Sequence, residues 1–305
     1  MRTTVIERLK ELAKQDDRIA LITGDSGYSV VETFIEKYPE RCFNMGINEQ
    51  ATASIAAGMA LEGYKVYVYG IGNFPTLRCL EQIRNDICYH NAEVTVLATG
   101  GGFAYGQLGM SHHATEEIAA MRPFEHMRIY MPADPKEAVC ALNDSYAYHG
   151  PAYIRLGRGH DEKIYDPSVN IDVSKAISFF DASDINVFAS GTILAEAVDA
   201  VQKLKNRGIN IGLYSFPRVK PLDTDTIAKV AEKCKTIITL EEHSTIGGFG
   251  SAVAETVSAM QGARAQVIRL GLDDKFTSVV GSQAYLRDYY GISSSKIAAC
   301  IEHIM

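Results

Sequence analysis

The chain has 305 residues, of which 47% are hydrophobic and 22% charged, with nine prolines and no tryptophan; this excludes disordered and low-complexity classes and leaves room for about two domains. The formal net charge of −7 comes from interspersed Asp, Glu, Lys and Arg, so no basic stripe offers itself to a nucleic acid or an anionic membrane. Six scattered cysteines without a C-x-x-C pair, no apolar run near the ~20 residues of a membrane span, and no signal-peptide pattern in residues 1–10 lead to the expectation of a reduced, cytoplasmic location.

In chain order, Val5, Ile6, Leu9, Leu12 and Ala13 predict a helix, and Ile19–Thr23 a buried strand ending at Gly24. An Ala-rich helix over 50–61, a strand over 65–69, a helix over 77–89 and a strand over 93–98 continue the rhythm. A glycine-rich loop and a strand over 128–131 follow. Asp134 is expected to cap the next helix, with Pro135 at its first position and Glu137 completing a capping box. A strand over 152–156 ends this unit. Gly, Asp, Pro and Ser then dominate 157–183, which places a linker at 166–183 between domains of residues 1–165 and 184–305. In the second domain, strands over 185–189, 209–215, 236–240 and 266–270 alternate with helices over 194–205, 223–233, 250–260 and 295–304. Such alternation predicts two α/β domains with mainly parallel sheets.

Three constellations carry chemistry. In Asn44-Met-Gly-Ile-Asn-Glu-Gln50, Glu49 stands at the mouth of a helix, where the macrodipole favours a carboxylate whether or not it serves a site. In the run from Gly100 to Glu117, a glycine-rich loop leaves a strand and ends in His112 and His113. Glycines there bring backbone close to a ligand, and imidazoles offer proton transfer or hydrogen bonding. Adjacent histidines rarely face one ion, so no metal site is expected on this chain. The third run, Thr239 to Glu255, reads as a glycine-rich strand-to-helix turn that could form an anion nest.

Gly-Ile-Asn-Glu-Gln, the loop ending in Ser-His-His, Met-Pro-Ala-Asp and Glu-Glu-His-Ser-Thr-Ile-Gly-Gly-Phe-Gly-Ser together resemble, in order and spacing, the C-terminal half of the transketolase family, which includes 1-deoxyxylulose-5-phosphate synthase and two-chain transketolases. The resemblance implies a thiamin-diphosphate-binding pyrimidine domain followed by a smaller transketolase C-terminal domain. It gives Glu49 the role of the glutamate that hydrogen-bonds N1′ of the cofactor's aminopyrimidine, favouring the imino tautomer that activates the thiazolium. It gives His112 the role of the histidine that contacts the substrate-derived hydroxyl or oxyanion. His113 stands where the family has a glutamine, beside the substrate.

By the same resemblance Phe74 packs on the aminopyrimidine, Arg78 follows at the synthase's helical spacing, and Asp25 lies near the cofactor. Arg158, in Leu156-Gly-Arg-Gly, matches an arginine that binds a sugar phosphate, and Arg2 is similar to a second one. The Gly-Asp-Gly pattern that holds magnesium and diphosphate is missing. The resemblance therefore implies a partner chain of the diphosphate-binding, N-terminal type that carries the Mg²⁺ ligands. It also implies homodimerisation within an α₂β₂ assembly, packed through the small-residue helix after Glu49.

Two departures, Leu108 where the family has an aspartate and Gly100 where it has a histidine, argue against ordinary pentose-phosphate chemistry. They point to ketol or related transfer to an aldehyde on an unusual or activated sugar, or on pyruvate. Two alternatives stay open: the β subunit of a 2-oxoacid dehydrogenase, and a non-catalytic partner that keeps the fold.

Overall fold

The computed structural model describes residues 1–159, 162–166, 168–181, 184–262 and 264–305. Of the expected linker, Pro167, Ala182 and Ser183 lie outside the described residues. The strands among the described residues run in chain order: β1 (Ile19–Thr23), β2 (Cys42–Asn44), β3 (Lys65–Ile71), β4 (Val94–Thr99), β5 (Arg128–Tyr130), β6 (Ala152–Leu156), β7 (Ile177–Phe180), β8 (Ile185–Ser190), β9 (Gly212–Ser215), β10 (Arg218–Lys220), β11 (Thr236–Ser244) and β12 (Gln266–Leu272). They form a seven-stranded sheet in the order β10-β5-β6-β4-β3-β1-β2 and a five-stranded sheet in the order β12-β11-β8-β9-β7. Each sheet is parallel apart from one edge strand, β10 against β5 and β7 against β9. The two mainly parallel α/β units are those that the alternation of apolar runs predicts.

The central strands are buried along their whole length, as sheets covered on both faces require. In β3, Tyr67 and Tyr69 face the cluster built on Val5, Leu9, Ala138 and Leu142, from the helices Arg2–Ala13 and Pro135–Ala147. Val66 and Val68 face the opposite cluster, which holds Ala53, Ala56, Ile83 and Ile87 and continues into Phe188, Phe216 and Phe249 of the second unit. The two units thus share one apolar core.

Some elements depart from the expected ones. The segment 77–89 is no regular α-helix: a 3₁₀ turn at Leu77–Cys79 and one α turn at Leu80–Gln82 lead into a π-helix at Ile83–Cys88. The wider π turn puts Ile83, Ile87 and Cys88 all in the core, four and five residues apart. Asp134 caps its helix as expected, accepting from the amides of Lys136 and Glu137. Glu137 reaches one residue further back than a capping box requires, to the amide of Ala133 at 2.6 Å. Strand β10 returns from the second half to the edge of the first sheet, and β7 joins the second sheet from within the stretch 166–183. Among the described residues no helix is long and apolar enough to cross a membrane.

Candidate active site at the carboxyl edge of the first sheet

The residues singled out in the first unit follow the carboxyl ends of parallel strands: Asp25 after β1, Glu49 after β2, Phe74 and Arg78 after β3, His112 after β4 and Arg158 after β6. In a parallel sheet those ends align, here with Thr23 opposite Asn44 and Tyr69, and Ile71 opposite Thr99. Loops leaving one edge can therefore converge. Gly24 lets β1 end close to the turn before Glu49, since a Cβ there would sit 2.6 Å from the carbonyl oxygen of Gly46.

A cavity of about 230 Å³ opens at this edge. Asp25, Glu49, Phe74 and Arg78 line it together with Ile47, Thr52, Ala53, Val68, Ile71, Pro75, Ile87 and Val96. Glu49 is the first residue of the helix Glu49–Leu61, and its carboxylate meets Arg78 Nη1 at 2.8 Å. The Arg78 guanidinium also lies over the Phe74 ring, 4.5 Å from its centroid. Asp25, exposed at the rim, accepts the Tyr28 hydroxyl at 2.8 Å.

A row of rings continues from Phe74 toward Arg158. His112 meets Phe74 edge-on at 5.1 Å between centroids, Tyr105 lies 6.4 Å beyond His112, and Arg158 covers Tyr105 at 4.7 Å. Arg2 approaches the neighbouring Gly159. Burial, reinforced by the adjacent His113, pushes the His112 pKa below the ordinary 6.5, so the ring is neutral at pH 7. Ser111 Oγ and His112 Nδ1 are 3.0 Å apart.

His113 takes another direction. Its ring is buried and bonds Thr277 Oγ1 at 2.8 Å and the Gly106 carbonyl at 3.2 Å, so both nitrogens are engaged by protein. The structure therefore turns His113 away from His112, into the protein interior, where it anchors the loop that presents His112. The third constellation also resolves. The nest at the turn before the helix Phe249–Ser258 is filled by the protein's own Glu241, which accepts the amides of Phe249 and Gly250 at 2.6 and 2.8 Å. Sequence reasoning passed over Tyr105 and Asn73. The first carries Arg158 and flanks His112; the second steadies the loop by donating to the His113 carbonyl at 2.8 Å. The Gly-Phe-Ala-Tyr-Gly run was the available signal for Tyr105.

Residues 1–161 match the family described as "Transketolase, pyrimidine binding domain", and residues 179–297 match "Transketolase, C-terminal domain". The chain belongs to the transketolase family. Among its relatives, one of the subunits of the apulose-4-phosphate transketolase of Phocaeicola vulgatus is 36% identical over 259 residues, covering 84% of this chain and 83% of that protein. The 6-deoxy-6-sulfo-D-fructose transketolase subunit SqwH of a Clostridium species is 28% identical over 100% of this chain and 94% of its own. A solved structure described as "Split gene transketolase, inactive beta4 tetramer" superposes with a TM-score of 0.88 at 30% identity, covering 99% of this chain and 97% of that one.

In this family's terms the cavity lies in the pyrimidine-binding domain, and its chemistry suits an aromatic heterocycle that also carries hydrogen-bonding groups. Apolar walls accept the ring, and one carboxylate enters from the helix mouth.

Proposed function

We propose that this chain is the pyrimidine-binding subunit of a two-chain, thiamin-diphosphate-dependent transketolase that passes a two-carbon ketol unit to an aldehyde on an unusual sugar. The observation that carries the reading is the convergence of Glu49, Phe74, Arg78 and Asp25 on one cavity. Glu49 would hydrogen-bond the aminopyrimidine, Phe74 would pack on its face, and Arg78 would hold the Glu49 carboxylate in place. Thiamin diphosphate supplies, when bound, a carbon nucleophile able to keep the electron pair released on cleaving a ketose. His112, neutral and braced between Phe74 and Tyr105, would donate to the substrate hydroxyl or oxyanion, and Arg158 would bind an anionic group at the far end of the row.

Magnesium and the diphosphate would be held by a partner chain of the diphosphate-binding type, in an α₂β₂ assembly. Ile47 and Tyr28, each 75% exposed beside the cavity, are apolar surface that such a partner would cover. Two supports favour the unusual sugar: the substrates in the names of the two relatives, and the exposed apolar side chains Leu108 and Met110 on the His112 loop.

Calorimetry with thiamin diphosphate and Mg²⁺, on this chain alone and with its partner chain, tests the reading. Binding in the complex and not in the isolated chain is expected, and no binding in either would overturn it. His112→Ala should lower kcat about 100-fold by removing a donor aimed at developing charge. The cofactor Kd should stay unchanged, because His112 is not among the residues lining the cavity.

A further inference from the structure

Every residue lining the cavity lies between Gly24 and Val96, yet the loop that carries His112 rests on the second domain. That loop is closed at its neck by paired backbone bonds between Gly102 and Ala114, at 2.8 and 3.1 Å. Above the neck the second domain holds it at three points. The Gly281 amide donates to the Gly106 carbonyl at 3.2 Å, Thr277 bonds His113, and Tyr290 stacks on Phe103 with centroids 5.1 Å apart.

At the neck itself stands Glu242, whose side chain is 3% exposed. Oε1 accepts the Phe103 amide at 2.5 Å and Gln283 Nε2 at 2.9 Å, while Oε2 accepts Arg287 Nε and Nη2, both at 2.6 Å. Arg287 is fixed in turn by Glu196 at 3.4 Å and Thr192 Oγ1 at 3.1 Å. Gly102 is required beside this carboxylate, because a Cβ there would run into Glu242 Oε1. A buried carboxylate with all its donors in place fixes whatever those donors belong to, and one donor here is the loop backbone.

We propose that Glu242 is a positioning residue for His112: through the Phe103 amide it sets the height of the histidine loop over the sheet edge, giving the second domain a part in the reaction. The catalytic half of this statement rests on the role proposed for His112. Glu242→Gln tests it. A carboxamide can turn only one oxygen to its donors, so either Phe103 or Arg287 is left facing an NH₂ group. Glu241→Gln, altering a neighbouring buried carboxylate that bonds Phe249 and Gly250 instead of the loop, is the control for mere loss of stability.

Hydrogen–deuterium exchange on the full chain should show amides 100–114 exchanging at least about tenfold faster in Glu242→Gln and unchanged in Glu241→Gln. Ring titration followed by NMR with labelled histidine should show the His112 pKa rising back toward 6.5 as the loop lifts and the ring is hydrated. In the complex, kcat should fall about tenfold with the thiamin diphosphate Kd unchanged. A folded Glu242→Gln with wild-type loop exchange and unmoved His112 titration overturns the proposal. If Glu242→Gln does not fold, Glu242→Asp, which keeps charge beside Arg287 but is one methylene short of Phe103, is judged by the same exchange and titration. A wild-type complex that binds no thiamin diphosphate would overturn the functional reading, while the exchange and titration results still decide the positioning.

Discussion

Glu49→Gln in the two-chain complex should lower kcat by about 10³-fold, within the range lost when a positioned acid–base group is removed. The substitution keeps volume and shape, and it takes away the one carboxylate that enters the cavity from the helix mouth. Its cost in stability is small. Arg78, the partner of Glu49, is 45% exposed and water can serve its guanidinium, so losing the pair costs at most about 1 kcal/mol. A lost helix-start charge adds only a few tenths more. Turnover assays beside thermal denaturation check both halves together. Unchanged turnover in the variant would remove Glu49 from the chemistry and bring forward the reading of a non-catalytic partner that keeps the fold.

How much of this was legible in the sequence depends on how local each signal is. β1, β4 and β6 could be read because strands buried on both faces are predominantly apolar, and the Asp134 cap because a side chain bonding amides two and three residues on needs no tertiary partner. The edge strands β7 and β10 escaped. Three or four residues show no period, and what makes them strands is the neighbour they meet far along the chain.

At the site, Glu49, Phe74 and Arg78 could be picked out through the family resemblance carried by the motifs around them, and all three follow strand ends at one edge of the first sheet. The divergence of His112 and His113 could not. It depends on Thr277, 164 residues away, which captures one ring and leaves the other beside Phe74. Glu242 was equally hidden, because nothing near it in sequence shows that its donors come from Phe103, Gln283 and Arg287. Of the adjacent pair Glu241 and Glu242, one turns inward to cap its own domain's helix and the other across to the first domain. Strand alternation sends neighbours to opposite sides, but only the fold says what waits on each.

The same domain junction yields the largest expected change in stability. Arg155 and Glu117 are both buried, with Nε and Oε1 2.9 Å apart. Burial raises the Glu117 pKa and Arg155 opposes that rise. Arg155 also donates through Nη2 to the carbonyls of Ala114 and Glu242, so it ties the neck of the histidine loop to the second domain. Arg155→Met should cost about 3–5 kcal/mol at pH 7 in denaturant unfolding, because Glu117 is left buried without its cation. The loss should depend on pH. With its pKa raised further, Glu117 binds a proton more tightly in the folded chain than in the unfolded one, so the variant gains stability as pH falls from 7 toward 4.5, the ordinary carboxyl value.

Adding Glu117→Gln removes the stranded charge while keeping an acceptor for the Tyr153 hydroxyl, which lies 3.2 Å from Oε1. The double variant should therefore regain most of the lost stability at pH 7 and lose the pH dependence. It should not regain full turnover, because the carbonyls of Ala114 and Glu242 still lack their donor and the loop neck stays loose. A single variant within about 1 kcal/mol of wild type would show that this pair is not what holds the junction. Recovery of both stability and turnover in the double variant would separate the loop's position from Arg155.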